Sequence, residues 1–346
     1  MRYRVFGQTG LKVSTLALGT GVFGTGWGYG ASRDEAQAVF DGYRAAGGNF
    51  IDTADGYQFG QSETLLGDFI AADRHDIVLA TKFSLGASPQ AGLQRSGNSR
   101  KAMLQSVEGS LKRLKTDRID LLWVHMPDGV TPIEEIVRGL DDLVRSGKII
   151  YAGLSDFPAW RVATAATTAE LRGWAPISAL QLEYSLVERT VERELLPMAS
   201  GFNLGVVGWS PLGGGLLTGK YRRGETGRKQ GLGRVIHDES DARKTATVDA
   251  VVAISEESGV TAAQVALAWV LSKGILPILG PRTSAQLTDN LAAEHVTLNA
   301  DQLARLDAVS AVPLGFPHDV IATDYTRNAL AGRKSDLVDY PTVALR

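Results

Sequence analysis

The chain has 346 residues, no cysteine, and 36 basic against 38 acidic side chains, giving a formal charge of -2. Lack of cysteine removes disulfides, thiolate metal sites and a cysteine nucleophile. A near-neutral charge with no basic block argues against an electrostatic nucleic-acid binder. Met1-Arg2-Tyr3-Arg4-Val5 lacks the apolar core of a signal peptide, and no apolar run approaches the roughly 18 residues that span a bilayer. The expected setting is therefore a reducing cytoplasm, with no membrane or nucleic-acid partner.

In chain order, Arg2 to Thr15 carries two short runs around Gln8-Thr9-Gly10 and reads as a β-hairpin. Eight short, mostly apolar runs follow: Leu16 to Gly19, Asn49 to Asp52, Ile77 to Lys82, Ile119 to Val124, Ile149 to Leu154, Ile177 to Leu182, Leu204 to Trp209 and Ile275 to Leu279. Such runs suit strands buried on both faces of a parallel sheet. Helical patterns lie between them: Asp34 to Ala46 stopped by Gly47-Gly48, a helix opening at Ser62, Arg100 to Leu114, and Pro132 to Arg145. Eight βα units predict an α/β fold, a (β/α)8 TIM barrel with an N-terminal hairpin at about 2-15. One domain is expected over 1-346, ending in a helix and tail at about 300-346. The Gly-, Arg- and Lys-rich stretch Gly213 to Asp241 is long for a loop, which marks it as functional or mobile.

Gly19-Thr20-Gly21-Val22-Phe23-Gly24 matches G-x-G-x-x-G after a strand. A Rossmann turn needs a helix to open at those glycines. Here Gly26, Gly28 and Gly30 intervene. The segment reads instead as a mobile loop at the barrel mouth.

Chemistry in such barrels sits where the strands end. Asp52, Lys82 and His125 lie at three successive strand ends, with Tyr57 just after Asp52. Each alone has an ordinary structural reading; together they suit carbonyl reduction. A carbonyl oxygen that gains charge on hydride addition needs a proton. Free tyrosine is a weak acid with a pKa of about 10, and a neighbouring ammonium stabilises its phenolate. Lys82 can supply that ammonium, Asp52 can hold it charged, and His125 can hydrogen-bond the substrate oxygen or share in proton transfer.

The run Asn49 to Tyr57, with Ser62-Glu63 and Gly67, resembles the first signature of the aldo-keto reductases. Further motifs follow in the right order: Thr81-Lys82, His125, Gly153-Leu154-Ser155-Asp156, Gln181 to Ser185, Trp209 to Leu212 and Gly280 to Thr283. The resemblance covers about Phe6 to Ala292. It implies a catalytic tetrad of Asp52, Tyr57, Lys82 and His125, and NADPH or NADP+ as cofactor without a Rossmann fold. By the same likeness Ser155 and Gln181 hold the nicotinamide carboxamide, with Asp156 beside them able to accept from its NH2, and Trp209 stacks on its ring. Ser210, Leu212 and Lys220 approach phosphate, and Gly280, Arg282, Gln286 and Asn290 take the adenosine end. Gly19 and Thr20 complete the expected cofactor set.

Asp156 replaces the family's usual asparagine, and an ionised aspartate accepts but cannot donate. Met126 follows His125 where arginine or tryptophan is common. Trp27, Tyr29 and Phe83 are candidates to line a substrate pocket for a small carbonyl or alcohol. The alternative function within the family is an NADPH-binding regulatory subunit of slow turnover, like channel-associated β-subunits. A metal-dependent hydrolase finds no support in five scattered histidines, and no metal ligand set is expected.

Overall fold

The computed structural model describes residues 1-225, 227 and 237-339. Strands β3 (Ala17–Gly19), β4 (Phe50–Asp52), β5 (Val78–Phe83), β6 (Ile119–Val124), β7 (Ile149–Ser155), β8 (Ile177–Glu183), β9 (Gly205–Trp209) and β10 (Leu276–Leu279) close into a parallel barrel. All eight expected strands are present, with no end displaced by more than one residue. Burial of both faces explains their continuous apolar character.

The hairpin pairs β1 (Tyr3–Val5) with β2 (Lys12–Ser14) and stoppers the barrel's N-terminal end. Phe6 just beyond β1 is buried edge-on to Phe50, 5.5 Å between ring centres. Gly205 is required there, because a Cβ would come within 2.5 Å of the Phe6 ring. Trp123 of β6 fills the interior above, over Gly153 of β7, where a Cβ would meet the indole at 2.4 Å. The barrel is thus solid below, and only its C-terminal mouth is left for chemistry.

Outside the strands run α1 (Arg33–Ala45), α2 (Gln61–Phe69), α3 (Arg100–Leu114), α4 (Ile133–Arg145), α5 (Ala159–Arg172), α6 (Leu195–Gly201), α7 (Ala242–Ser258), α8 (Ala262–Ser272), α9 (Ser284–Ala292) and α10 (Ala300–Val309). The start of α1 is fixed by a reciprocal Ser32/Glu35 capping box. This is thirteen residues past Gly19, so the glycine motif opens no helix and the Rossmann alternative falls. Beyond α10 the described chain has two short helices, His318–Ile321 and Asp324–Leu330, and a single 3-10 turn, Ser335–Leu337. The middle of the expected long loop after Trp209 lies outside the described residues. Among the described residues, no helix is long and apolar enough to cross a membrane.

Candidate active site

Strand geometry assembles the four chemical residues. Side chains alternate across a strand, so on β5 Thr81 and Phe83 face the helices while Lys82 enters the barrel. Thr81 donates to Glu63 of α2 at 2.5 Å, and Phe83 packs with Met103 and Val107 of α3. Lys82 is fully buried. Its Nζ donates to Asp52 Oδ2, to the Thr53 carbonyl at 2.9 Å and to Tyr57 Oη at 3.1 Å. Burial works against its charge, but the Asp52 carboxylate and then Tyr57 outweigh that and hold its pKa above the ordinary lysine value. Gln181 from β8 donates to the second Asp52 oxygen at 2.9 Å, so Asp52 is satisfied on both sides. His125 lies edge-on to the Tyr57 ring at 5.8 Å, and its Nδ1 is buried without a hydrogen-bond partner. Burial, then the charge of Lys82, bring the His125 pKa down to about 3. The imidazole is therefore neutral at pH 7.

The loop expected to be mobile is instead tied down, and the ties come from the residues beside Tyr57. Gln58 and Phe59 sit in the left-handed region, at φ 52° and 57°. That bend turns the Gln58 side chain under the glycine-rich segment, where it is fully buried. It accepts from Trp27 N at 2.9 Å and donates to the carbonyls of Gly21 and Tyr29 at 3.2 and 3.0 Å. Gln61 accepts from the backbone of Thr25 and Gly26 at 2.9 and 3.0 Å. A glycine loop leaves many N–H groups needing partners, and two glutamines supply them. Trp27 is consequently held edge-on to Tyr57, 6.1 Å between ring centres.

One of the three proposed pocket residues needs correction. Phe83 is buried against α3 and cannot line the mouth, because strand alternation turns it away from Lys82. The Tyr29 ring carries the Arg282 guanidinium, 4.6 Å from its centre. Trp27 stands edge-on to Tyr57 and to Phe59; Phe59 is 44% exposed and Met126, after His125, 37%.

Most of the expected cofactor residues gather in an arc from β7 to α9. Ser155 ends β7 and is buried. Asp156 follows at φ 56°, a conformation that aspartate tolerates better than most residues, and accepts from Trp209 Nε1 at 3.0 Å. Ser210, at φ 51°, has a buried Oγ with no partner. Leu212 packs partly into the core. Lys220 has its pKa lowered by burial and then by the charge of Arg282, so the two cations lie within reach of one another. Gln286 accepts from Arg282 N at 2.9 Å, and Thr283 caps α9 by accepting from Gln286 N. Asn290 is buried on that helix, while Gly280 is exposed before it.

Gly19 and Thr20 are corrected. A Cβ on Gly19 would meet Ile278 at 2.4 Å, so the glycine serves the close approach of β3 to β10. Thr20 is wholly buried, with its hydroxyl shared between Ser62 and the Asp52 carbonyl at 2.8 and 3.3 Å.

The model of the Aldo/keto reductase family matches residues 15–311. The chain belongs to that family. This aldo-keto reductase is 35% identical to a norsolorinic acid reductase of Aspergillus flavus, over 90% of this chain and 81% of the other. It is 34% identical to a putative aryl-alcohol dehydrogenase of Saccharomyces cerevisiae, covering 93% and 90%. An uncharacterized oxidoreductase of Bacillus subtilis is 37% identical over 91% of this chain and 98% of its own. An aldo-keto reductase is an oxidoreductase of carbonyl compounds, and the family generally works with a nicotinamide cofactor.

Three features of this aldo-keto reductase's mouth escaped the sequence reading. Gln58 and Gln61 were hidden because nothing local announces an αL bend at two non-glycine residues. Glu183 closes β8 beside Trp209 and pairs with His237 Nε2 at 2.8 Å. The partner lies in a different loop, so no local pattern joins them.

Proposed function

We propose that this enzyme reduces aldehydes or ketones to alcohols, reversibly, with NADPH and with Tyr57 as proton donor. The observation that carries the reading is the Tyr57 hydroxyl 3.1 Å from a buried ammonium that Asp52 keeps charged. When bound, the nicotinamide supplies the hydride to the carbonyl carbon. The carbonyl oxygen takes its proton from Tyr57 Oη, and Lys82 stabilises the negative charge left on the phenol oxygen. Neutral His125 serves as a hydrogen-bond donor to the same oxygen, since an imidazole with a pKa of about 3 holds no second proton to give. Trp27 and Met126 supply the apolar wall for the organic part of the substrate.

The residues present suit a nicotinamide dinucleotide. Ser210 offers a buried hydroxyl without a protein partner. Lys220 and Arg282 make no ion pair among the described residues, so their mutual repulsion favours a phosphate between or beside them. Gln181 spends its NH2 on Asp52, leaving its carbonyl oxygen for a ligand amide. The test is a panel of aldehydes, ketones and alcohols with both phosphorylated and unphosphorylated cofactors. Lack of turnover with every pair would sink the reading.

Two expectations arise here. Cofactor binding quenches tryptophan fluorescence through Trp209, and Trp209→Leu removes most of that quench. An unaltered quench in the variant takes Trp209 out of the site. Arg282 confers the NADPH preference by meeting the 2′-phosphate. A charged hydrogen bond is worth about 1.5 to 3 kcal/mol, and each 1.4 kcal/mol is about tenfold. Arg282→Ala should weaken NADPH roughly 10- to 100-fold by that arithmetic and leave NADH nearly unchanged. Equal losses for both would assign Arg282 to another part of the cofactor.

A further inference from the structure

The hydrogen bond from Trp209 Nε1 to Asp156 does not need a carboxylate. An asparagine oxygen would accept it equally well, without the cost of desolvating a charge at the barrel mouth. Asp156 as a whole stays exposed at the mouth, but partial desolvation of its carboxyl, then the like charge of Glu183, push its pKa up to about 6, against the Trp209 hydrogen bond and the Lys82 charge that favour the anion. Glu183 reaches this corner from β8, register partner of Trp209, with His237 on its far side. Lys82 is already committed to Asp52. Above about pH 6 the mouth beside Trp209 therefore carries the Asp156 carboxylate close to that of Glu183, offset only in part by the Lys82 charge.

The two redox states of a nicotinamide differ in charge: the oxidised ring is a cation and the reduced ring is neutral. We propose that Asp156 biases this site toward the oxidised cofactor, its carboxylate attracting the cationic ring supported on Trp209. The inference rests on the reading that places the ring on Trp209, and it adds a thermodynamic role for the one position where this motif departs from asparagine. Asp156 is a positioning and charge-setting residue; it takes no proton from substrate.

The sign with pH follows. A cation beside Asp156 favours the deprotonated carboxyl, so the preference is present above about pH 6 and fades as pH falls through that value. By reciprocity the oxidised cofactor must lower the Asp156 pKa by the same factor that Asp156 strengthens its binding. Near pH 6 its binding expels protons that reduced-cofactor binding does not. The ionisations of the cofactor's own phosphates are common to both forms and cancel in the difference.

The experiment measures dissociation constants of NADP+ and NADPH by calorimetry for wild type, Asp156→Asn and Trp209→Leu at pH 8 and pH 5. Wild-type binding is repeated at pH 6 in buffers of different ionisation enthalpy to count protons. Asp156→Asn keeps the acceptor for Trp209 and removes only the charge. At pH 8 it should weaken NADP+ relative to NADPH by roughly tenfold, the size expected for a unit charge acting across a partly wet mouth. At pH 5 the difference should be largely gone, and wild type should release more protons with NADP+ than with NADPH at pH 6. Equal changes for both cofactors, or a tenfold selective change that persists undiminished at pH 5, overturn the inference while leaving the site reading intact. If Trp209→Leu alters neither affinity nor quench, the ring does not lie on Trp209 and both readings fall.

Discussion

Tyr57→Phe is expected to lower turnover by roughly 10² to 10⁴, the usual worth of a positioned general acid, with cofactor affinity unchanged. The substitution removes one hydroxyl and leaves the ring that packs edge-on to Trp27 and His125, at 6.1 and 5.8 Å. Lys82 loses its 3.1 Å contact but keeps Asp52 and the Thr53 carbonyl, so its charge survives. No replacement donor is at hand, because His125 is neutral. The measurement is single-turnover reduction with saturating NADPH, which isolates chemistry from product release. Near wild-type rates would remove Tyr57 from its role.

Lys82→Met should nearly abolish reduction, and it should also destabilise the fold. Its ammonium is fully buried against Asp52, and removing one member of a buried pair strands the other, typically at about 3 to 5 kcal/mol. Lost activity alone would therefore prove little. Asp52→Asn combined with Lys82→Met removes both charges. Thermal melting of the double variant should recover most of the lost stability, while its rate stays as low as that of Lys82→Met. Recovery of rate together with stability would make the lysine a structural residue. Asp52→Asn alone should be impaired but measurable, since Lys82 keeps the Thr53 carbonyl and Tyr57 as partners.

The barrel was legible because parallel strands buried on both faces leave continuous apolar runs, and each was found to within a residue. Asp52, Lys82 and His125 were legible for the same reason: a polar residue closing an apolar run has nowhere to go but the rim. Phe83 was misplaced by neglecting the period of two that turns it from Lys82. Thr20 was misplaced because a motif match says nothing about which hydroxyls α2 consumes. Gln58 was invisible, since its role depends on an αL bend and on backbone groups nearly thirty residues upstream.

The barrel closes where β3 meets β10, Leu18 opposite Leu279, and the loops leaving those two strands touch through Tyr29 and Arg282. On the proposed function, cofactor recognition straddles the join between the first and last strands of the barrel. The proposed proton donor Tyr57 follows the second barrel strand and Arg282 follows the eighth, so the two sides of the proposed cleft come from opposite ends of the barrel sequence. Bound dinucleotide would then act as a clasp across the join, stabilising the closed ring over the opened one by mass action. On that reading, cofactor supply would help set how long each finished molecule survives proteolysis, independently of how fast it turns over.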